Sequence, residues 1–238
     1  MRKPPELRRL VQAYAGRQPW SVRYRPASWP AGPSSAWLED ETRGVRLASR
    51  GKPGDRTVAA DSLRSLCSEI DAGSEAELLA AFGLVMAWGS GTSAPRSYRN
   101  LAAAVADPRL VPVLRDTLQL CREDGMDALG EAYTRWRVNG IQRSYFTKWF
   151  AFAGRQEGRA WQPLILDDRV LATLSETLGI TTRDLAGSRR WAQRYVAYVE
   201  ALHAWAADDY HGSTADRLEW IMFCHNGSSD LDQPSDRS

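Results

Sequence analysis

One lysine lies in the most aromatic stretch of this chain. Lys148 is one of only three lysines, against 28 arginines, and five aromatic residues occur between positions 145 and 152. A guanidinium keeps its proton in a protein, whereas burial among apolar rings lowers the pKa of a lysine ammonium and yields the neutral amine. A neutral lysine amine is a nucleophile. The use of lysine at this position therefore indicates covalent chemistry.

A carboxylate follows this lysine nineteen residues later. Asp167 comes directly after the apolar run 163–166 and before a helical pattern, so we expect it at a helix N-terminus, where capping keeps a carboxylate ionised. A lysine and an aspartate in one cleft suit substitution at an acetal-like carbon, because the carboxylate stabilises a cationic transition state and the amine captures it. Asp168 cannot share that role, since adjacent side chains at a helix start point apart.

The helix that must position the lysine is predicted over roughly 142–153. Its period places Lys148 on one face with Ser144, Tyr145 and Phe152, at the boundary of the aromatic core side. Spacing alone favours a lysine that extends its amine into water. The aspartate is the first reason to favour the reactive alternative.

Two stretches resemble a known family. Residues 145–154 read Tyr-Phe-Thr-Lys-Trp-Phe-Ala-Phe-Ala-Gly and residues 163–170 read Pro-Leu-Ile-Leu-Asp-Asp-Arg-Val. They resemble helix-hairpin-helix DNA glycosylases, and among these a bacterial branch of 8-oxoguanine DNA glycosylase-like proteins, over about residues 82–225. That family carries a catalytic lysine in the helix after a hairpin and an aspartate at the start of a later helix. Lys148 and Asp167 match this order and spacing, although residues 140–144 form a longer hairpin with a single glycine.

The resemblance implies a mainly α, two-lobed helix-hairpin-helix glycosylase fold with a cleft between the lobes. An irregular, Trp/Pro-rich segment (1–60) is expected to pack on a helical core (61–225), followed by a disordered polar tail (226–238). Within that core, the hairpin and lysine occupy 139–154 and the aspartate begins a helix over 167–178.

The resemblance also implies an enzyme of base-excision repair. It would flip an oxidised purine, 8-oxoguanine, out of double-stranded DNA and excise it, with Lys148 as the nucleophile, Asp167 as the stabilising carboxylate, and an associated AP-lyase activity through a Schiff base. We expect a monomer without metal or cofactor in the bacterial cytosol. Two alternatives stay open: a glycosylase for another modified base, for example in phage DNA, and a non-catalytic helical DNA-binding or interaction protein.

Several residues are candidates for contacts with DNA. Backbone amides of the hairpin and nearby arginines would bind phosphates: Gly140, Ile141, Gln142, Arg143, Arg96, Arg99 and Arg189. Residues near the lysine and in the glycine-rich stretch 88–95 would line the base pocket: Trp88, Gly89, Trp149 and Phe152. That stretch is predicted as a break between helices, and a plain interhelical turn is an equally good interpretation.

Bulk composition limits other functions. The chain is 43% hydrophobic and 25% charged, with a formal net charge of only +2, so any DNA-binding face must come from local clusters of arginine. Its apolar runs are too short to cross a membrane. Cys67, Cys121 and Cys224 are odd in number and widely spaced, which indicates reduced thiols and excludes a four-cysteine iron-sulfur cluster. The histidines His203 and His225 lack the spacing of a known metal site.

The remaining elements follow from periodicity and turn residues. An amphipathic start near Leu7 precedes a segment in which Trp20, Trp29 and Trp37 alternate with prolines, which forbids a long helix and predicts a wrap over the core. Residues 43–56 are predicted as a basic loop. Further helices are predicted over 61–70, 75–88, 96–105, 107–121, 126–136, 169–178, 188–207 and 213–224, and the helix over 188–207 should bury a stripe that starts at Trp191.

Overall fold

The computed structural model describes residues 3–92, 95–208 and 212–228. Within these ranges the protein is mainly helical, as predicted, with eleven α-helices and one three-stranded antiparallel sheet. The helices are α1 (Pro5–Ala13), α2 (Ala60–Ser68), α3 (Glu75–Ser90), α4 (Pro95–Val105), α5 (Leu110–Arg122), α6 (Met126–Arg135), α7 (Arg143–Ala153), α8 (Asp168–Ala172), α9 (Thr182–Ala186), α10 (Trp191–Ala207) and α11 (Ala215–His225). The strands are β1 (Val22–Tyr24), β2 (Arg46–Leu47) and β3 (Arg56–Val58), in the order β1-β3-β2.

Helix α3 forms the centre of the core. Ten consecutive residues from Leu78 to Ala87 are buried, because this helix is apolar on all sides and must be enclosed. It packs against α2, α4, α5 and α7, and against the N-terminal segment. A Cβ at Gly83 would overlap the carbonyl oxygen of Ser34, so glycine permits this close approach. Of the three tryptophans predicted to pack over the core, Trp29 and Trp37 are buried, whereas Trp20 is 46% exposed.

The N-terminal segment is more regular than predicted. The amphipathic start is α1, which buries Leu7, Leu10 and Val11. The sheet was not predicted, and an irregular segment is the wrong description for it. Strand β1 pairs with β3 through Val22 and Val58. Each strand has only two or three residues, which is too short for an alternating pattern to stand out in the sequence.

The basic loop predicted over residues 43–56 is instead a β-hairpin. Arg46 pairs with Thr57 across β2 and β3. Asp55, which is 1% exposed, accepts hydrogen bonds from the Arg25 guanidinium (2.9 Å) and the Lys52 backbone N–H (3.1 Å). The prediction counted the basic residues and missed the one acidic residue of the stretch, which ties it to β1 and the residue that follows β1.

The helix predicted over 188–207 is α10, and a short helix that was not predicted, α9, precedes it. Thr181 and Asp184 form a capping box that begins α9, and α10 starts only at Trp191. Gly187 ends α9 at φ +57°, a left-handed conformation that favours glycine, and turns the chain toward α10. Trp191 was predicted to be buried, but it is 37% exposed, because it occupies the first turn of α10. Two guanidinium groups lie over its ring instead of core side chains.

The helix predicted over 169–178 is a short α8 that continues into one π-helical turn, Thr173–Thr177. Thr173 Oγ1 donates to the Met222 carbonyl and accepts the Gly227 N–H (3.0 Å), which fixes the end of α11 against this turn. Of the tail predicted to be disordered, residues 229–238 lie outside the described residues, as do Ser93 and Ala94 of the glycine-rich stretch.

The three cysteines are buried and form no disulfide with one another, as predicted. Across residues 3–92, 95–208 and 212–228, no helix combines the length and hydropathy that a membrane crossing requires. The division of the helices into two lobes with a cleft stays a prediction.

Candidate active site

Lys148 lies inside the protein rather than in solvent. It is 5% exposed, and its Nζ donates to the Ser144 carbonyl (2.6 Å) and to Asp167 Oδ2 (3.0 Å). The Tyr145 ring centroid lies 5.3 Å from Nζ, within the range of a cation–π contact. The predicted face shared with Ser144 and Tyr145 is confirmed, and the alternative of a lysine that extends into water is wrong.

Asp167 uses its two carboxylate oxygens for different partners. It is the N-cap of α8, where Oδ1 accepts the Arg169 N–H (3.1 Å) while Oδ2 faces Lys148. Burial alone would raise its pKa, but the Lys148 ammonium and the Arg169 N–H together hold the pKa of Asp167 below its ordinary value. Asp167 therefore both caps α8 and faces the lysine, as predicted.

Asp168 faces away from the lysine. Its carboxylate pairs with the Arg143 guanidinium, and its side chain is 80% exposed. Adjacent residues at the start of α8 thus make separate ion pairs to α7, one buried and one at the surface.

Gly89 packs directly against the lysine. It lies in the last turn of α3, so the glycine-rich stretch is helical as far as Ser90 and the predicted break at Trp88 and Gly89 is wrong. A Cβ at Gly89 would lie 2.7 Å from Lys148 Cδ and 3.0 Å from Cε. The absence of a side chain at Gly89 therefore leaves room for the lysine stem, and any larger residue there would displace the stem.

Tyr145 joins the three helices around the lysine. Its hydroxyl forms a short hydrogen bond with Ser97 of α4 and accepts a longer one from Ser90 of α3 (3.4 Å). Ser97 is buried. No sequence motif pointed to Ser97, because its partner lies 48 residues further along the chain.

The four predicted pocket residues separate into two groups. The Trp88 ring makes an edge contact with Phe152, one helical turn beyond Lys148, at 4.9 Å between centroids. The indole N–H of Trp88 is buried without an acceptor in the described part of the chain. Trp149 is fully enclosed, with its N–H donating to Thr117 Oγ1 (3.1 Å) in the interior. The structure thus brings Trp88 and Gly89 near the lysine, whereas Phe152, which is 2% exposed, and Trp149 lie in the core.

The predicted hairpin turns immediately before α7. Gly140 has φ +79° and is exposed, and Gln142 is the N-cap of α7. Ile141 is buried and its carbonyl accepts the Trp136 indole N–H (3.2 Å). A Cβ at Gly140 would lie 3.5 Å from Asn100 of α4, so the hairpin packs on that helix.

The four arginine candidates differ in availability. Arg96 and Arg99 are exposed on α4, the helix against which the hairpin packs, and Arg189 is exposed in the loop before α10. Arg143 is engaged: beyond its pair with Asp168, its guanidinium stacks on the Trp191 ring at 4.3 Å.

A separate groove lies between α6 and the start of α10. It has a volume of about 1090 Å³, and Trp191 forms part of its wall together with acidic Glu131 and basic Arg190. Neither Lys148 nor Asp167 lines it. Its mixed charge does not complement a polyanion such as DNA.

The chain matches one family model over residues 16–223, and the family is described as "Putative 8-oxoguanine DNA glycosylase OGG-like protein". The match begins well before residue 82, so the likeness includes the N-terminal sheet, which the motifs of the lysine region did not indicate. No curated protein and no solved structure matches the chain.

Proposed function

The chain belongs to the 8-oxoguanine DNA glycosylase OGG-like family, and on this premise we propose that it excises 8-oxoguanine from double-stranded DNA by covalent catalysis. The observation that supports the proposal is the buried contact of 3.0 Å between Lys148 Nζ and Asp167 Oδ2. Burying a charge costs free energy of desolvation. A lysine and an aspartate that are buried together therefore indicate a functional site.

Lys148 is proposed as the nucleophile. Its amine must first release a proton, after which the nitrogen lone pair attacks the sugar C1′ of the flipped nucleotide. The bond between C1′ and the base breaks, and its electron pair leaves with the base, which takes up a proton. Opening of the sugar ring then gives a Schiff base between Nζ and C1′.

Asp167 is proposed to stabilise the cationic character at C1′ during that step. Its lowered pKa keeps it an ionised carboxylate at neutral pH, which this role requires. Capping of α8 holds the carboxylate in place before the substrate arrives, so little reorganisation is needed in the transition state.

An AP-lyase step follows from the same intermediate. The Schiff base acidifies the C2′ hydrogen, and loss of that proton expels the 3′ phosphate with the C3′–O electron pair. Hydrolysis of the remaining imine returns Lys148 to its amine.

DNA binding is assigned to the surface around the hairpin. Backbone amides of Gly140, Ile141 and Gln142, with Arg96 and Arg99 on the adjoining α4, are proposed to bind phosphates on one side of the lysine. Arg189 would bind on the other side, at the start of α10.

Arg143 can join this surface only if a phosphate replaces Asp168 as its partner. The flipped base is proposed to lie by Trp88 and Gly89, and the enclosed Phe152 and Trp149 support these residues from the core without touching the base.

Base release from a panel of duplexes tests the proposal. Each duplex carries one lesion, and the wild type is compared with Lys148→Gln and with the control Lys52→Gln, which changes an exposed lysine. We expect release of 8-oxoguanine by the wild type and the control, and none by Lys148→Gln. Release of a different base only would assign another substrate, and binding without release of any base would identify a non-catalytic DNA-binding protein.

A further inference from the structure

The segment that carries Asp167 has no regular secondary structure, yet side chains bind its backbone at successive positions. Residues 163–166 lie between α7 and α8 outside any helix or strand. Four hydrogen bonds hold them: Tyr195 hydroxyl to Leu164 carbonyl (2.7 Å), Ile165 N–H to Glu219 (2.8 Å), Tyr198 hydroxyl to Ile165 carbonyl (2.9 Å), and Leu166 N–H to Thr147 Oγ1 (3.0 Å). Buried backbone groups need such partners, because an unpaired one is costly.

Three of these four bonds hold the segment against α10 and α11, which carry no part of the proposed chemistry. The fourth comes from α7, the helix of the lysine. Thr147 directly precedes Lys148, and Leu166 directly precedes Asp167. A single hydrogen bond therefore joins the two backbones at one residue from each reacting group.

The Thr147 hydroxyl donates one hydrogen bond and accepts another. Thr147 is 0% exposed, its hydroxyl donates to the Arg143 carbonyl (2.8 Å), and its oxygen accepts the Leu166 N–H. Because the one hydroxyl hydrogen points at Arg143, the oxygen lone pairs are available for Leu166 alone. This arrangement fixes both the direction and the length of the bridge between α7 and the segment.

We propose that Thr147 is a positioning residue, which sets the separation between the Lys148 amine and the Asp167 carboxylate. Its effect on base excision rests on the proposed function, but its effect on the lysine and aspartate pair does not. Displacements of about 1 Å in a catalytic group can slow a reaction about a hundredfold. Valine has the shape of threonine and lacks the acceptor, so Thr147→Val leaves the Leu166 N–H unpaired and releases the segment from α7.

Thr117 offers a matched control on the opposite side of α7. It is also 0% exposed, its hydroxyl donates to the Val113 carbonyl (2.6 Å), and its oxygen accepts the Trp149 indole N–H (3.1 Å). Thr117→Val thus removes the same kind of buried hydroxyl from a contact with α7. It does not touch the segment that carries Asp167.

The test uses the small number of lysines. The full-length protein is prepared with ¹³C at lysine Cε, which gives three signals, and Lys148→Arg identifies the one from Lys148. We expect Thr147→Val to shift the pH midpoint of the Lys148 signal and to slow single-turnover release of 8-oxoguanine about tenfold or more. Duplex affinity should stay within about twofold, because Thr147 is buried away from solvent.

Thr147→Ser keeps the hydroxyl and should restore both readouts, and Thr117→Val should alter neither. If thermal unfolding shows that the valine variant is not folded, Thr147→Cys replaces it, with a weaker acceptor and a smaller shift in the same direction. A Lys148 midpoint in the valine or cysteine variant equal to that of the wild type would overturn the inference. A shifted midpoint in a protein that releases no base would support the positioning role and reject the glycosylase.

Discussion

Two ion pairs join α7 to the start of α8, and they differ mainly in exposure. Lys148 and Asp167 have side chains 6% and 16% exposed, whereas those of Arg143 and Asp168 are 22% and 80% exposed. Water screens the more exposed pair, Arg143 and Asp168, which we call the outer pair. The outer pair therefore contributes little to stability, and its partners can exchange. The inner pair is desolvated and held by further hydrogen bonds. Neighbouring aspartates at one helix start thus lie in opposite environments, and under the proposed function only the buried one takes part in the chemistry.

Neutralising each aspartate in turn should distinguish the two ion pairs most clearly. Asp167→Asn removes the charge that stabilises the transition state, so we expect base release about 10²- to 10³-fold slower with duplex binding retained. Asp168→Asn should leave the release rate within about threefold, because its carboxylate faces solvent. Single-turnover kinetics and gel-shift binding measure both effects, and equal losses in the two variants would remove the distinction between the pairs.

Crowding the lysine should have the next largest effect. Gly89→Ala places a methyl group 2.7 Å from Lys148 Cδ, so the stem must move away from its place beside Asp167. We expect base release about tenfold slower. Gly125→Ala is the control, since a Cβ there meets nothing within 4 Å. A Gly89→Ala variant as fast as the control would show that the lysine tolerates displacement.

The outer pair should respond through DNA binding. Arg143→Ala removes one proposed phosphate contact, so the slope of log affinity against log salt should fall by about one. Asp168→Asn should have the opposite effect and tighten binding, because a phosphate no longer competes with a carboxylate for Arg143. Affinity measured across a salt series tests both variants. A tighter complex for Arg143→Ala, or a weaker one for Asp168→Asn, would contradict this assignment of the outer pair.

The smallest effect on activity is expected at Glu219, whose carboxylate accepts the Ile165 N–H. Burial raises its pKa to about 8. The unfolded chain releases this proton near pH 4.5, whereas the folded protein retains it until about pH 8, so folding stability should fall as pH rises between these values.

Glu219→Gln should flatten that dependence and leave base release at pH 7 within about threefold. Thermal unfolding from pH 4 to pH 9 measures the slope. A slope unchanged in the glutamine variant would show that another group causes it.

The sequence was sufficient to predict the features that depend on helical periodicity and on helix-capping residues. Lys148 and Asp167 were identified from residue type and aromatic surroundings together with the resemblance to a family that has this order and spacing, and the structure places them in contact. Helix α3 begins at the predicted residue, with Ser74 as its N-cap, and α11 begins two residues after its predicted start, with Thr214 as its N-cap. Helix starts depend on residues only a few positions apart, which is the range over which a sequence pattern is informative.

Contacts between distant residues could not be predicted in the same way. Thr147 and Glu219 bind the backbone of residues 163–166 across 19 and 54 positions, and no periodicity marks a side chain that serves a backbone group. Gly89 appeared as part of a break, because its role depends on the lysine that packs against it. The sheet was missed because its strands are shorter than any alternating pattern.

The most direct test of Lys148 as the nucleophile is to reduce a reaction with 8-oxoguanine duplex using sodium borohydride and to locate the trapped DNA adduct by peptide mass spectrometry. We expect a single adduct on Lys148 in the wild type and none in Lys148→Gln. An adduct on Lys3, on Lys52 or on the N-terminal amine, or the absence of any adduct from a preparation that binds the duplex, would contradict it.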